Sequence, residues 1–150
     1  MPAVYRDAQF PQLRGKRILI VEDEALIRML VEDEFLNAGA KVIGPACSVD
    51  EALQLTETAV AGGGLNAAVL DINLAGKAVW PVADRLVALG VPFVFSTGYE
   101  DERKENHYVE TPRFIKPYNI NALLAMVQEL TSEATTTRQQ AIQPDLLQAS

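Results

Sequence analysis

Four polar steps, each directly behind a short apolar run, hold the residues with chemical reach. Glu22-Asp23-Glu24 follows Ile18 to Val21, and Asp71 follows Ala67 to Leu70. Ser96-Thr97-Gly98 follows Phe93 to Phe95, and Lys116-Pro117 follows Phe114-Ile115. Runs this short and rich in Val, Ile, Leu and Phe suit strands covered on both faces. In an open α/β sheet the loops at the carboxyl ends of the strands form the ligand crevice. That edge would gather Glu22, Asp23, Asp71, the hydroxyl of Thr97 and the ammonium of Lys116. Such a set is suited to moving a phosphoryl group onto a carboxylate.

Carboxylates brought together raise one another's pKa unless a cation joins them, and a hard divalent ion keeps them ionised. Mg²⁺ fits best, because it takes one or two carboxylates, waters and phosphate oxygens. Zinc is disfavoured by the lack of histidine or thiol ligands at these positions. Asp71, alone on its strand, is the natural nucleophile, while the acidic pair on the first strand can hold the metal. Lys116 would supply a point charge and Thr97 a hydroxyl donor, with backbone amides near Gly98 and Asn73 facing the phosphoryl oxygens. Taken singly, each piece has a plainer explanation. An acidic run before a helix often only complements its dipole, at about 0.3–1 kcal/mol per charge, and a lone Asp often starts an Asx turn. Their recurrence at equivalent strand ends is what carries the reading.

The elements that must position these groups alternate along the chain. Strands are expected at 17–22, 41–44, 67–71, 92–96 and 113–115, with segments of helical period between them, the pattern of βα units around a parallel sheet. In the first helical segment Ile27, Leu30, Val31, Phe35 and Ala38 share a face, and Gly39 stands where a left-handed cap is wanted. Ser48 or Asp50 can cap the second, which Gly62-Gly63-Gly64 stops. The third runs from about Val79 to Leu89 and ends at Gly90. Residues 99–107 read as a short helix, and Asn119 or Asn121 opens a fifth with Ile120, Leu123, Leu124, Val127 and Leu130 on one stripe. Trp80 and Phe114 read as packing residues.

The 150 residues fit one domain that needs no disulfide or structural metal. Residues 1–15 read as an N-terminal extension that packs through Phe10 and Leu13, 16–131 as the domain, and 132–150 as a tail, partly disordered and too short for an effector domain. A single cysteine, Cys47, and the lack of an apolar leader point to the cytoplasm. No apolar run approaches a membrane span. The formal charge of −7 argues against direct nucleic-acid binding.

At this point the chain resembles the receiver domains of two-component response regulators, over about residues 16–131. The matching pieces are Ile18 to Glu24, Val69 to Leu74, Phe95 to Gly98 and Phe114 to Pro117. The resemblance implies a flavodoxin-like α/β fold, with a five-stranded parallel sheet in the order 2-1-3-4-5 and helices on both faces. It implies Asp71 as phosphoacceptor, Glu22 and Asp23 as the acidic pair for Mg²⁺, and the Asn73 carbonyl as a further ligand. It also implies Thr97 as the switch hydroxyl and Lys116 as the family's lysine, usually before a cis proline, here Pro117.

Two departures stand out. Most receivers carry Tyr or Phe three residues before the lysine, where this chain has Arg113, so the usual aromatic switch is missing. Phe95-Ser96-Thr97-Gly98-Tyr99 is instead similar to the FATGUY subgroup, which implies that Tyr99 or the fourth helix takes over signalling. In the loop after Asp71, Ala75 replaces the common proline and Gly76 adds freedom.

The resemblance implies a stand-alone receiver that takes a phosphoryl group from a sensor histidine kinase or phosphotransfer protein and is not itself a classical enzyme. With no output domain in the tail, the message would pass by docking to a downstream protein, by phosphorylation-dependent dimerisation, by competition for a kinase, or as a phosphate sink in a phosphorelay. Two alternatives remain: a pseudo-receiver that binds partners without phosphorylation, and a Mg²⁺-dependent phosphatase-like enzyme. The latter is disfavoured because Asn73, not an acid, stands two residues after Asp71.

Overall fold

The computed structural model describes residues 9–98 and 108–132. Among the described residues seven strands are present: β1 (Arg17–Val21), β2 (Lys41–Ala46), β3 (Ala67–Asp71), β4 (Asn73–Leu74), β5 (Lys77–Ala78), β6 (Phe93–Thr97) and β7 (Arg113–Ile115). Among the described residues these α-helices accompany them: α1 (Ala25–Asn37), α2 (Val49–Ala61), α3 (Trp80–Leu89) and α4 (residues 120–132). The helix expected over 99–107 lies outside the described residues.

The main sheet has the order β2-β1-β3-β6-β7 with every pair parallel, which is 2-1-3-4-5 when its own five strands are counted. Side chains alternate across it with the two-residue period of a strand. Leu19, Val21, Leu70, Phe93 and Phe95 turn toward α2 and α3, while Ile18, Ile20, Val69 and Val94 turn toward α1 and α4. The apolar runs are continuous because both faces are covered. The lead-in joins the second core, where Phe10 and Leu13 are buried against it.

Local chemistry sets the helix ends. Ser48 Oγ accepts from the Glu51 N–H while Glu51 Oε1 accepts from the Cys47 N–H, a reciprocal cap at the start of α2. Asn119 Oδ1 accepts from the N–H groups of Asn121 and Ala122 at the start of α4. Gly90 closes α3 with φ 73°, and Gly39 turns the chain after α1 with φ 89°.

Two features depart from the expected pattern. Leu30 does not belong to the buried stripe of α1: it is 50% exposed, beside the exposed Leu26 and Met29. At 100° per residue it falls on the flank of the helix, one side of the line through Val31 and Phe35. The segment after Asp71 is not an open loop but a two-stranded hairpin, β4 against β5, turning through Ala75 (φ 51°) and Gly76 (φ 89°). Positive φ at both central residues is the requirement of a type I′ turn.

Candidate phosphoacceptor and metal site

Strand register brings the polar steps together. Val21 is level with Leu70, Asp71 with Ser96, and Thr97 with Ile115. The residues that follow therefore leave the sheet at one edge, and a cavity of about 340 Å³ opens there between Asp23, Asp71, Asn73, Gly98 and Lys116. Carboxylate oxygens of Glu22, Asp23 and Asp71 lie within 4.8 Å of one another. Glu22 and Asp71 are buried, and Asp23 is half-buried.

Each acid is held from the backbone. Glu22 Oε2 accepts from the Glu24 N–H at 3.0 Å, Asp71 Oδ1 from the Asn73 N–H at 3.1 Å, and Asp23 Oδ2 from the Ala75 N–H at 2.8 Å. The Ala75 bond depends on the hairpin, whose turn is further tied by the Gly76 N–H on Asn73 Oδ1. Lys116 follows the far strand directly, just before a cis Lys116–Pro117 peptide, and points its ammonium into the cluster. Its Nζ stands 3.0 Å from Glu22 Oε1, 2.8 Å from Glu24 Oε1 and 3.1 Å from Asp71 Oδ2.

The Lys116 ammonium faces several anions, and the titration of the groups reflects it. Burial, reinforced by the neighbouring Glu22 carboxylate, pushes the Asp71 carboxyl up to about 7 against the pull of Lys116. Burial works against the Lys116 ammonium, but hydrogen bonds to Glu24 and Glu22 and the Asp71 charge outweigh it and push its pKa up. Tyr118, behind the site, is pushed up to about 12 by burial and then by the Glu22 charge. An all-oxygen donor set with more negative charge than one ammonium neutralises fits a hard divalent cation. Glu22, Asp23 and Asp71 would hold it.

The remaining expected residues are placed as follows. Thr97 ends β6 with its side chain buried, and its carbonyl accepts from the Lys116 N–H at 2.8 Å; the cavity wall itself is Gly98. Asn73 lines the cavity. Arg113 sits at the start of β7, with its guanidinium 5.5 Å from the centre of the Phe95 ring. Tyr99 lies outside the described residues.

Two site contacts and one aromatic cluster beyond the site are not announced by the sequence. Glu24 was seen only as part of an acidic run, yet it bonds Lys116; its position directly after the acidic pair was the available signal. The Ala75 amide became a ligand of Asp23 only through the hairpin. Tyr108 stacks on Trp80 at 5.9 Å, packs edge-on against Phe93 and Phe95, and donates its hydroxyl hydrogen bond to Asp84. Nothing local to Tyr108 announces that cluster. Beside the acidic cavity, a second cleft of about 410 Å³ runs between Ile27, Leu30, Pro117 and Tyr118 and shares Lys116 with it.

A doubly wound sheet with this strand order and a ring of acids opposite a lysine defines a receiver-type α/β domain. Comparisons with known proteins place it further. No family model matches the chain, and no curated protein matches it. Solved structures do. SdrG from Sphingomonas melonis Fr1 is 36% identical over 78% of this chain and 96% of that one, with a TM-score of 0.66. SdrG, there from Pseudomonas melonis Fr1, is also solved in a BeF3-activated conformation. The response regulator PhyR from Brucella abortus is 28% identical over 87% of this chain, with a TM-score of 0.68, and this chain spans about half of it, 54%. A CheY-like response regulator receiver domain protein from Methanospirillum hungatei JF-1 is 25% identical over 82% of this chain and 98% of that one, with a TM-score of 0.70. The chain belongs to the receiver domains of response regulators, which are signalling domains rather than classical enzymes. Among the described residues no helix is long and apolar enough to cross a membrane.

Proposed function

We propose that the protein accepts a phosphoryl group on Asp71 from the phosphohistidine of a sensor kinase or phosphotransfer protein and signals to a protein partner through the resulting change of conformation. An Asp71 carboxylate oxygen forms the new O–P bond as the donor's P–N bond breaks, and the imidazole nitrogen keeps the electron pair. Mg²⁺, when bound, neutralises charge on the transferring oxygens. Glu22, Asp23 and Asp71 would hold it, with the Asn73 carbonyl as a further ligand. Lys116 stabilises charge on the phosphoryl group, and Thr97 with the amides near Gly98 would meet its oxygens.

The observation that carries this reading is the contact of Lys116 with Asp71 and Glu22 at 3.0–3.1 Å inside a carboxylate cluster at the sheet edge. To turn a 1:99 population into 99:1, phosphorylation must favour the active state by about 5.5 kcal/mol. With Arg113 in place of the usual aromatic, that bias would pass through Thr97 and the Phe95–Tyr99 motif of the FATGUY subgroup. The protein acts in the cytoplasm as a receiver that signals to a protein partner or serves as a phosphate sink.

Incubation with acetyl phosphate and Mg²⁺ followed by intact-mass measurement tests the proposal. A phosphoryl adduct is expected on the wild type and absent from Asp71→Asn. An unmodified wild type under these conditions would instead favour a protein-interaction module, and turnover of many phosphate esters would favour an enzyme.

A further inference from the structure

A lysine ammonium has three N–H donors, and Lys116 commits all three. They go to Glu22 Oε2 at 3.1 Å, Glu24 Oε1 at 2.8 Å and Asp71 Oδ2 at 3.1 Å. A phosphoryl oxygen arriving at Asp71 can take a donor from Lys116 only by displacing one of these partners. Glu22 and Asp71 cannot leave cheaply, because their side chains are 4% and 5% exposed and a buried carboxylate stripped of its cation is left uncompensated. The Glu24 side chain is 60% exposed and can turn into water, so it is the partner that leaves Lys116 at least cost.

We infer that Glu24 is a positioning residue that occupies the third donor of Lys116 while Asp71 is unmodified and yields it to the incoming phosphoryl group. The inference rests on the reading of Asp71 as the phosphoacceptor. Glu24 also lines the cavity that an anionic donor must enter, so its charge opposes phosphorylation twice, by holding the ammonium and by repelling the anion. Its place at the N-cap of α1 does not explain the contact, since its side chain makes no capping hydrogen bond there. Substitution at 24 therefore removes no cap.

The test titrates the full chain with beryllium fluoride in the presence of Mg²⁺, followed by ¹⁹F NMR, for wild type, Glu24→Gln, Glu24→Ala and Asp71→Asn. Glu24→Ala is expected to bind the fluoride complex on the order of fivefold more tightly than wild type, as loss of one competing charge pair with a solvated carboxylate implies. Glu24→Gln falls between, because its neutral carbonyl still accepts. The gap narrows as salt is raised, since the competing charge is screened, and labelling by acetyl phosphate accelerates in the same order. A merely structural residue would show the reverse, with weaker binding and a lowered thermal midpoint together. Equal or weaker binding by both Glu24 variants overturns the placeholder role and leaves the phosphoacceptor reading standing. Equal binding by wild type and Asp71→Asn overturns that reading itself.

Discussion

Asp71 is buried beside Glu22, and its proton affinity in the native chain follows from that. Burial pushes its carboxyl up to about 7 in the fold from an ordinary value of 3.8, so between those values the native state binds more protons than the unfolded chain. Stability therefore falls as pH rises through that window. In metal-free buffer the urea midpoint is expected to drop between about pH 4 and about pH 7, and Asp71→Asn should flatten the drop and be the more stable protein at the higher pH. An unchanged slope in the variant would assign the titration to another group. Lys116→Met makes the complementary case. It leaves Glu22 and Asp71 without their shared cation, and breaking a buried pair this way costs about 3–5 kcal/mol, measurable by urea unfolding without metal.

At the scale of the element, one turn and one strand irregularity use backbone conformations that most residues resist. The β4–β5 hairpin places Ala75 at φ 51°, where a Cβ costs roughly 1–2 kcal/mol, and yet the Ala75 N–H is what fixes Asp23. Ala75→Asn converts the turn to the favoured Asn-Gly pair and is expected to add about 0.5–1 kcal/mol of stability, read as a higher urea midpoint. Ala75→Val should do the opposite. In β2 the pairing with β1 shifts between Leu19 and Val21, and Gly44 stands at the irregularity with φ 100°. A Cβ there would lie 2.8 Å from the Ala46 nitrogen and 3.2 Å from the Ile20 carbonyl oxygen. Gly44→Ala is expected to destabilise by about 2 kcal/mol or more, and a loss under about 0.5 kcal/mol would show that the strand can slide past the bulge.

Over the whole molecule, a chain of net charge −7 concentrates acids at one sheet edge, where β1, β3 and β7 all deliver charged groups. A cation bound there stabilises only the folded chain, because the three strands assemble its ligands. Mg²⁺ at one hundred times its Kd is expected to add about 2.7 kcal/mol, a rise in Tm of several degrees for a domain this size. Asp23→Asn should lose most of that increment while folding normally in metal-free buffer. A full Mg²⁺ response in the variant would move the metal away from Asp23. The same sheet joins the site to both cores, since Asp71 continues the strand whose Leu70 and Val69 pack on opposite faces.

Most of the architecture could be read from the chain alone because local chemistry encodes it. Short branched runs make strands that are buried twice over, Ser48, Asn119 and Gly90 mark helix ends, and parallel strands deliver Glu22, Asp71 and Lys116 to a common edge whatever their separation. Interactions that depend on a distant neighbour were not legible. Leu30 looks as apolar as Val31, and its exposure follows from which side of α1 the sheet occupies. Glu24 meets Lys116 across 92 positions, Tyr108 finds Trp80 only when β7 lies beside β6, and the hairpin matters because Asp23 stands opposite its turn. Periodicity and capping act within a few residues, whereas partner choice among charges and rings is made only when strand order has set their distances.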